Sequence, residues 1–195
     1  MGKVKTPIGL LGLKFYPVKG TGYDTAVDLG SSVKAYLSVE TSELTIYGDD
    51  VLELDFESFK RGTLSTETWY DDLELETKIF GGTYSSEDSD ATDASDDVAP
   101  DGAVSYIRKI LKKDPTTGAK STVYRAIVLP LCTASKASQK EEADTKGDSL
   151  DPKTHPVDFY FRPNAAGEWR YRADFDTQAA AEAYIATKTA AASTG

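Results

Sequence analysis

The sequence predicts a mainly β protein: an antiparallel β-sandwich or barrel with one flanking α-helix and a short C-terminal helix. Three observations carry that prediction. Stretches of apolar–polar alternation recur between residues 33 and 175, the pattern a half-buried strand requires. Gly, Asp, Asn and Pro punctuate these stretches at short intervals, as turns between strands do. The period departs from two at 70–80 and at 177–188, where capping residues and helix formers replace it.

Taken in order, residues 10–18 alternate imperfectly around Phe15 and Tyr16 and fit a first strand or a docking arm. "VKAYLSVE" at 33–40 is cleaner, with Val33, Ala35, Leu37 and Val39 on one face and Lys34, Tyr36, Ser38 and Glu40 on the other. "ELTIYGDD" follows and carries a turn signal at Gly48 and Asp49. In "VLELDFESFKRG", Leu52, Leu54 and Phe56 oppose Glu53, Asp55 and Glu57, and a Thr-rich strand is expected to begin anew at Gly62 and run to Trp69. Residues 70–80 read as a helix. Asp71 or Asp72 can cap it, Lys78 lies late where the helix dipole favours a cation, and Gly81 and Gly82 stop it.

From 85 to 102 the chain becomes "SSEDSDATDASDDVAPDG", acidic with no basic residue to offset it, and is expected to be a long mobile surface loop. Its Asp spacing lacks the central glycine, final glutamate and flanking helices of a calcium-binding EF-hand loop. Strands resume at 104–111 and 121–131, joined through "KKDPTTGAK" as a hairpin. Apolar residues on both faces of 121–131 imply a strand covered on both sides. Phe159 and Phe161 mark the next strand, and Trp169, Tyr171, Ala173 and Phe175 return opposite Arg170 and Arg172, arginines expected to pair with surplus carboxylates. "TQAAAEAYIATK" at 177–188 closes the chain as an alanine-rich helix capped by Asp176 or Thr177, ahead of a fraying tail. The organisation is thus an N-terminal arm and first strand (1–32), a β-sandwich domain (33–175) with the acidic loop 85–102, and a C-terminal helix and tail (176–195).

A net charge of −10, from 22 basic and 32 acidic residues, argues against a protein that grips phosphate backbones, but is compatible with one that nucleic acid slides past. Cys132 is the lone cysteine, so no intrachain disulfide or cysteine metal cluster is available, and "IVLPLC" marks it as a buried small hydrophobe. The amino terminus lacks the continuous apolar run of a signal peptide. The expectation is a chain made and used without export and without membrane anchoring; "MGKVKT" matches a myristoylation pattern weakly.

Chemistry is hard to find. His155 is the single imidazole, set between Pro152 and Pro156 at the entry to a strand, and Asp158 should point away from the core with Tyr160. No nucleophile–base pair, zinc motif or phosphate loop can be assembled from these residues. The sequence therefore predicts no enzyme, with no catalytic, cofactor-binding or metal-binding residues and no cofactor. Exposed strand edges suit binding or assembly instead.

One resemblance gives that role a form. The order "VKAYLSVE", "IYGDD" at 46–50, "GTLSTE" at 62–67 and "CTASKASQKEEADTKGDSLDPKTHPVDFYF" at 132–161 resembles the major tail protein (tail tube protein) family of long-tailed bacteriophages, of the siphophage tube-forming type. The likeness runs from about Gly9 to Phe175; the acidic insertion and the terminal helix are not signatures of it. It implies a structural virion protein, a homo-oligomer of hexameric rings stacked into a hollow tail tube. Such a tube surrounds a tape-measure protein, meets terminator and baseplate proteins, passes transiently near DNA during genome ejection, and assembles in the host cytoplasm. Carried onto this chain, Glu53, Asp55 and Glu57 become candidate lumen-facing residues that would repel DNA phosphates. Tyr47, Gly48, Asp49 and Asp50 become a candidate inter-subunit or inter-ring loop. The alternatives are a monomeric β-sandwich binding module, or a tube subunit of a related contractile injection device.

Overall fold

The computed structural model describes residues 4–48, 51–69, 72–140 and 153–190. The chain order is β1 (Val4–Lys19), β2 (Gly22–Tyr23), β3 (Val27–Asp28), β4 (Ser32–Gly48), β5 (Val51–Thr68), α1 (Leu73–Phe80), β6 (Thr83–Ser85), β7 (Asp90–Thr92), β8 (Asp101–Lys113), β9 (Lys120–Ala134), β10 (His155–Phe161), β11 (Tyr171–Phe175) and α2 (Gln178–Lys188), with a single 3-10 turn at Lys136–Ser138. Nine strands form one sheet in the order β2-β1-β8-β9-β10-β5-β4, with β11 also on β9 and β3 also on β1; β6 and β7 make a separate hairpin. All the pairings are antiparallel.

The sheet folds around one core and carries a second on its outer surface. Inside, Leu13, Phe15, Leu64, Val104, Leu129, Phe159 and Phe161 pack together, and α1 covers one end with Ile79 and Phe80. Outside, Tyr16, Ala103, Ile107, Ala126 and Val128 meet Ala181 and Ile185 of α2. Strands β8 and β9 are therefore covered on both faces, as the apolar content of β9 predicts. The fold is a mainly β, sandwich-like sheet with two flanking helices. The barrel alternative is corrected: β1 and β4 approach each other but do not pair, so the sheet stays open.

Both helices start where their caps predict. The Asp72 carboxylate accepts from the Leu75 N–H at 3.0 Å, and the Thr177 hydroxyl oxygen accepts from the Ala180 N–H at 3.2 Å, each satisfying a donor that the first turn leaves open.

Four local expectations change. Gly62 does not begin a new strand but lies within β5, because the Phe161 ring fills the place of its side chain: a Cβ there would sit 2.0 Å from Phe161 Cζ. The acidic stretch is not wholly loop, since β6 and β7 pair across it from Thr83↔Thr92 to Ser85↔Asp90. Val33 and Val39, expected to be buried, are 47% and 41% exposed because β4 is a sheet edge with no strand beyond it among the described residues. Finally, among the described residues the arginines of the last strand region pair with no carboxylate; it is Arg125 that pairs with Asp174, while Arg170 lies 4.3 Å over the Trp169 ring.

Candidate functional site

The most distinctive surface begins where β4 and β5 leave the rest of the sheet. β10 pairs β5 from Gly62 to Thr68 and no further. Beyond that, 41–48 and 51–59 pair with each other and, among the described residues, with no other strand. Eight residues at a strand rise of about 3.3 Å make an arm roughly 25 Å long. A register shift between Glu40 and Thr41 marks its base, leaving Lys60 as an extra residue; such bulges bend a hairpin and increase its twist. Arg61 donates to Glu40 at 2.7 Å beside that bulge.

Aromatic stacking anchors the base. Phe59 lies parallel to Trp169 with ring centroids 4.8 Å apart, and both rings contact Phe161, at 5.9 and 5.6 Å. Each such pair contributes about 0.5–1.5 kcal/mol beyond burial alone. Past Phe59 the support ends: Phe56 is 56% exposed, and Glu57 faces Glu43 across the ladder, a like-charge pairing that weakens an isolated hairpin. Two-stranded hairpins are at best marginally stable in water by themselves. The arm therefore has more strand than the rest of the molecule supports.

The predicted site residues fall on this arm. Glu57 is exposed. The backbones of Glu53 and Asp55 lie in β5, where a register shift leaves Glu53 with no residue opposite, and the backbones of Tyr47 and Gly48 lie in β4 near the turn. The side chains of Tyr47, Glu53 and Asp55, together with the whole of Asp49 and Asp50, are outside the described residues. His155 is the first residue of β10, half-buried and in register with Thr68. Cys132 is fully buried, and burial pushes its thiol far above the ordinary cysteine range. Among the described residues no three His, Cys, Asp or Glu side chains converge on a possible metal centre.

Two further features escaped sequence reasoning because residues distant along the chain build them. A cavity of about 530 Å³ lies between α2 and β1, where Gly12 adopts φ of 59° at a strand irregularity. Tyr16, Ser105 and Ile107 line it from the sheet, and Ile185 and Thr189 from the helix. Ser105 donates to the Tyr16 hydroxyl oxygen at 3.4 Å. On the inner side, the gap between the free edges of β1 and β4 forms a slot of about 540 Å³, walled by Pro7 and Leu10 on one side and Val33–Leu37 on the other. Tyr106, Ile127, Arg108 and Arg170 complete it.

A scan of protein-family models and a search of curated proteins both return no match for this chain.

Proposed function

We propose that this chain is a structural assembly subunit whose copies join through the β4–β5 arm and the free sheet edges, in the manner of a bacteriophage tail tube. One observation carries the reading: the arm extends roughly 25 Å past its last supporting strand. It exposes Phe56 and sets Glu57 against Glu43 where an isolated hairpin gains nothing from either. A neighbouring copy laid along β4 would supply the missing strand partner and cover Val33, Tyr36 and Val39. Heterologous contacts of that kind generate rings or filaments.

In the tube reading, hexameric rings stack around a tape-measure protein, and Glu53, Asp55 and Glu57 face the lumen, where carboxylates keep DNA phosphates from adhering. No catalytic centre or cofactor belongs to it. Negative-stain electron microscopy of concentrated protein tests the proposal: hollow tubes or rings are expected, and persistent monomers under all conditions, including addition of preformed tail tips, would refute it.

The second reading is a monomeric β-sandwich binding module, and it rests on the cavity beneath α2. That cavity falls within the roughly 300–1,000 Å³ typical of small-molecule sites. Its apolar wall of Ile107 and Ile185, with the Tyr16 and Ser105 hydroxyls, suits a small amphipathic ligand. A stable monomer whose melting temperature rises with such a ligand, an effect removed by Ile185→Trp, would favour this reading over assembly.

A further inference from the structure

We infer that the slot between the β1 and β4 edges is a receptor for the acidic β6–β7 hairpin of a second copy of this chain, making a head-to-tail contact. The inference rests on the assembly reading and names a contact within it.

In a chain of net charge −10, no carboxylate among the described residues lines this slot, yet Lys34, Arg108 and Arg170 do. Lys34 is matched by Glu67 at 2.8 Å. Arg108 and Arg170 make no ion pair among the described residues, although the chain carries ten more acidic than basic residues. Arg170 is partly desolvated over Trp169, and that burial, reinforced by Arg172, pulls its proton affinity below the ordinary arginine value. An unmatched, partly desolvated guanidinium gains most from a carboxylate that arrives with a partner.

The matching surface lies elsewhere on the same molecule. Residues 85–100 carry Glu87, Asp88, Asp90, Asp93, Asp96 and Asp97 with no Lys or Arg among them. Asp88 and Asp97 serve the loop itself, through Ser85 and the Ala94 N–H. Glu87, Asp90 and Asp96 are exposed, and their carboxylates make no hydrogen bond or ion pair among the described residues. Within one copy the two surfaces do not meet: Asp101, where the hairpin rejoins the sheet, is seven residues along β8 from Arg108, about 23 Å at strand rise. Joined head to tail between copies, two complementary patches at different places on one subunit make a heterologous contact, which propagates into a ring or filament.

Charge reversal in the full-length chain tests this, with assembly measured by sedimentation velocity and folding by circular dichroism. Arg108→Glu with Arg170→Glu is expected to weaken association by about tenfold or more, as is the triple variant Glu87→Lys, Asp90→Lys, Asp96→Lys. Combining all five substitutions in one chain is expected to restore it. If the arginine variant is folded and assembles like the wild type, the slot contact is refuted while assembly itself stands. Restoration by Glu43→Lys with Glu57→Lys, and not by the hairpin triple, would refute the hairpin as occupant. A wild-type chain that never associates refutes both the contact and the assembly reading.

Discussion

Two long antiparallel hairpins in this molecule, β8–β9 and β4–β5, are built from similar alternating sequence and end in opposite circumstances. The first has its inner face on Phe15, Leu64 and Phe159 and its outer face under α2, so both faces are covered along its central residues. The second shares only its base with β10 and continues for half its length with no other strand beside it among the described residues. Alternation supplies a strand with two faces; it does not supply something to lie against each face. In β8–β9 the molecule provides both coverings, whereas in β4–β5 it leaves them to be found.

The sharpest way to break that contrast is to attack the supported side. Phe159 is fully buried and its ring centroid lies 5.7 Å from that of Phe15, at the junction of β10, β5 and β9. Phe159→Ala is expected to cost about 3–5 kcal/mol, through lost burial and the cavity left behind. Urea denaturation followed by tryptophan fluorescence reads the loss directly. A cost below about 1 kcal/mol would mean the core is not where packing places it.

Gly62→Ala comes next and links the two regions. The added Cβ would lie 2.0 to 2.5 Å from three atoms of the Phe161 ring, which is itself buried and stacked on Phe59 and Trp169. Overpacking of this kind costs roughly 1–3 kcal/mol. Because the displaced ring anchors the arm, amide hydrogen exchange in 51–59 should accelerate more than exchange in β8 and β9. Uniform acceleration across both hairpins would show that the arm has no independent opening.

How much of this could be read from sequence follows the same divide. The helix starts, narrowed to Asp71 or Asp72 and to Asp176 or Thr177, the doubly buried β9 and the Phe159, Phe161 face of β10 were readable because each depends on residues close in the chain. The continuity of β5 through Gly62 was not, since the Phe161 ring that occupies the missing side chain's place comes from a distant strand. The exposure of Val33 and Val39 was also hidden: whether a sheet closes depends on the register of every strand, not on the alternation of one. Arg108 and Arg170 sit in different strand regions, and no local motif marks their convergence. Of the candidate arm residues, Glu57 has the exposure its alternation predicts, but the residue opposite it, Glu43, becomes apparent only once the register is known.

A smaller effect tests the electrostatics of the covered hairpin. Arg125 holds Asp174 across β9 and β11 through two hydrogen bonds, at 2.6 and 3.0 Å, and this holds the Asp174 carboxyl below its ordinary value. With the folded value depressed, the pair stabilises the protein above the ordinary carboxylate pKa of about 4, and the contribution is lost as pH falls through the lower folded value. Both side chains are about a third exposed, so the contribution is about 0.2–1 kcal/mol. Asp174→Asn should lower stability by that amount at pH 7 and by progressively less in acid. An unchanged gap between variant and wild type down to pH 2 would assign the effect to packing instead of charge.

The smallest change in stability should come from the arm, and there a null result is informative. Phe56 is 56% exposed and lies beyond the Phe59–Trp169 stack, so Phe56→Ser removes little that the isolated chain uses. Its unfolding free energy should stay within about 0.5 kcal/mol of the wild type. If copies do pair along this hairpin, the same substitution should raise the concentration needed for assembly, because an apolar side chain idle in the monomer becomes covered only in the assembly. A fall in monomer stability as large as that of Gly62→Ala would place Phe56 in a contact within its own chain. Unchanged stability with unchanged assembly would leave the arm's apolar face unused in both states and remove the main support for a partner strand at this hairpin.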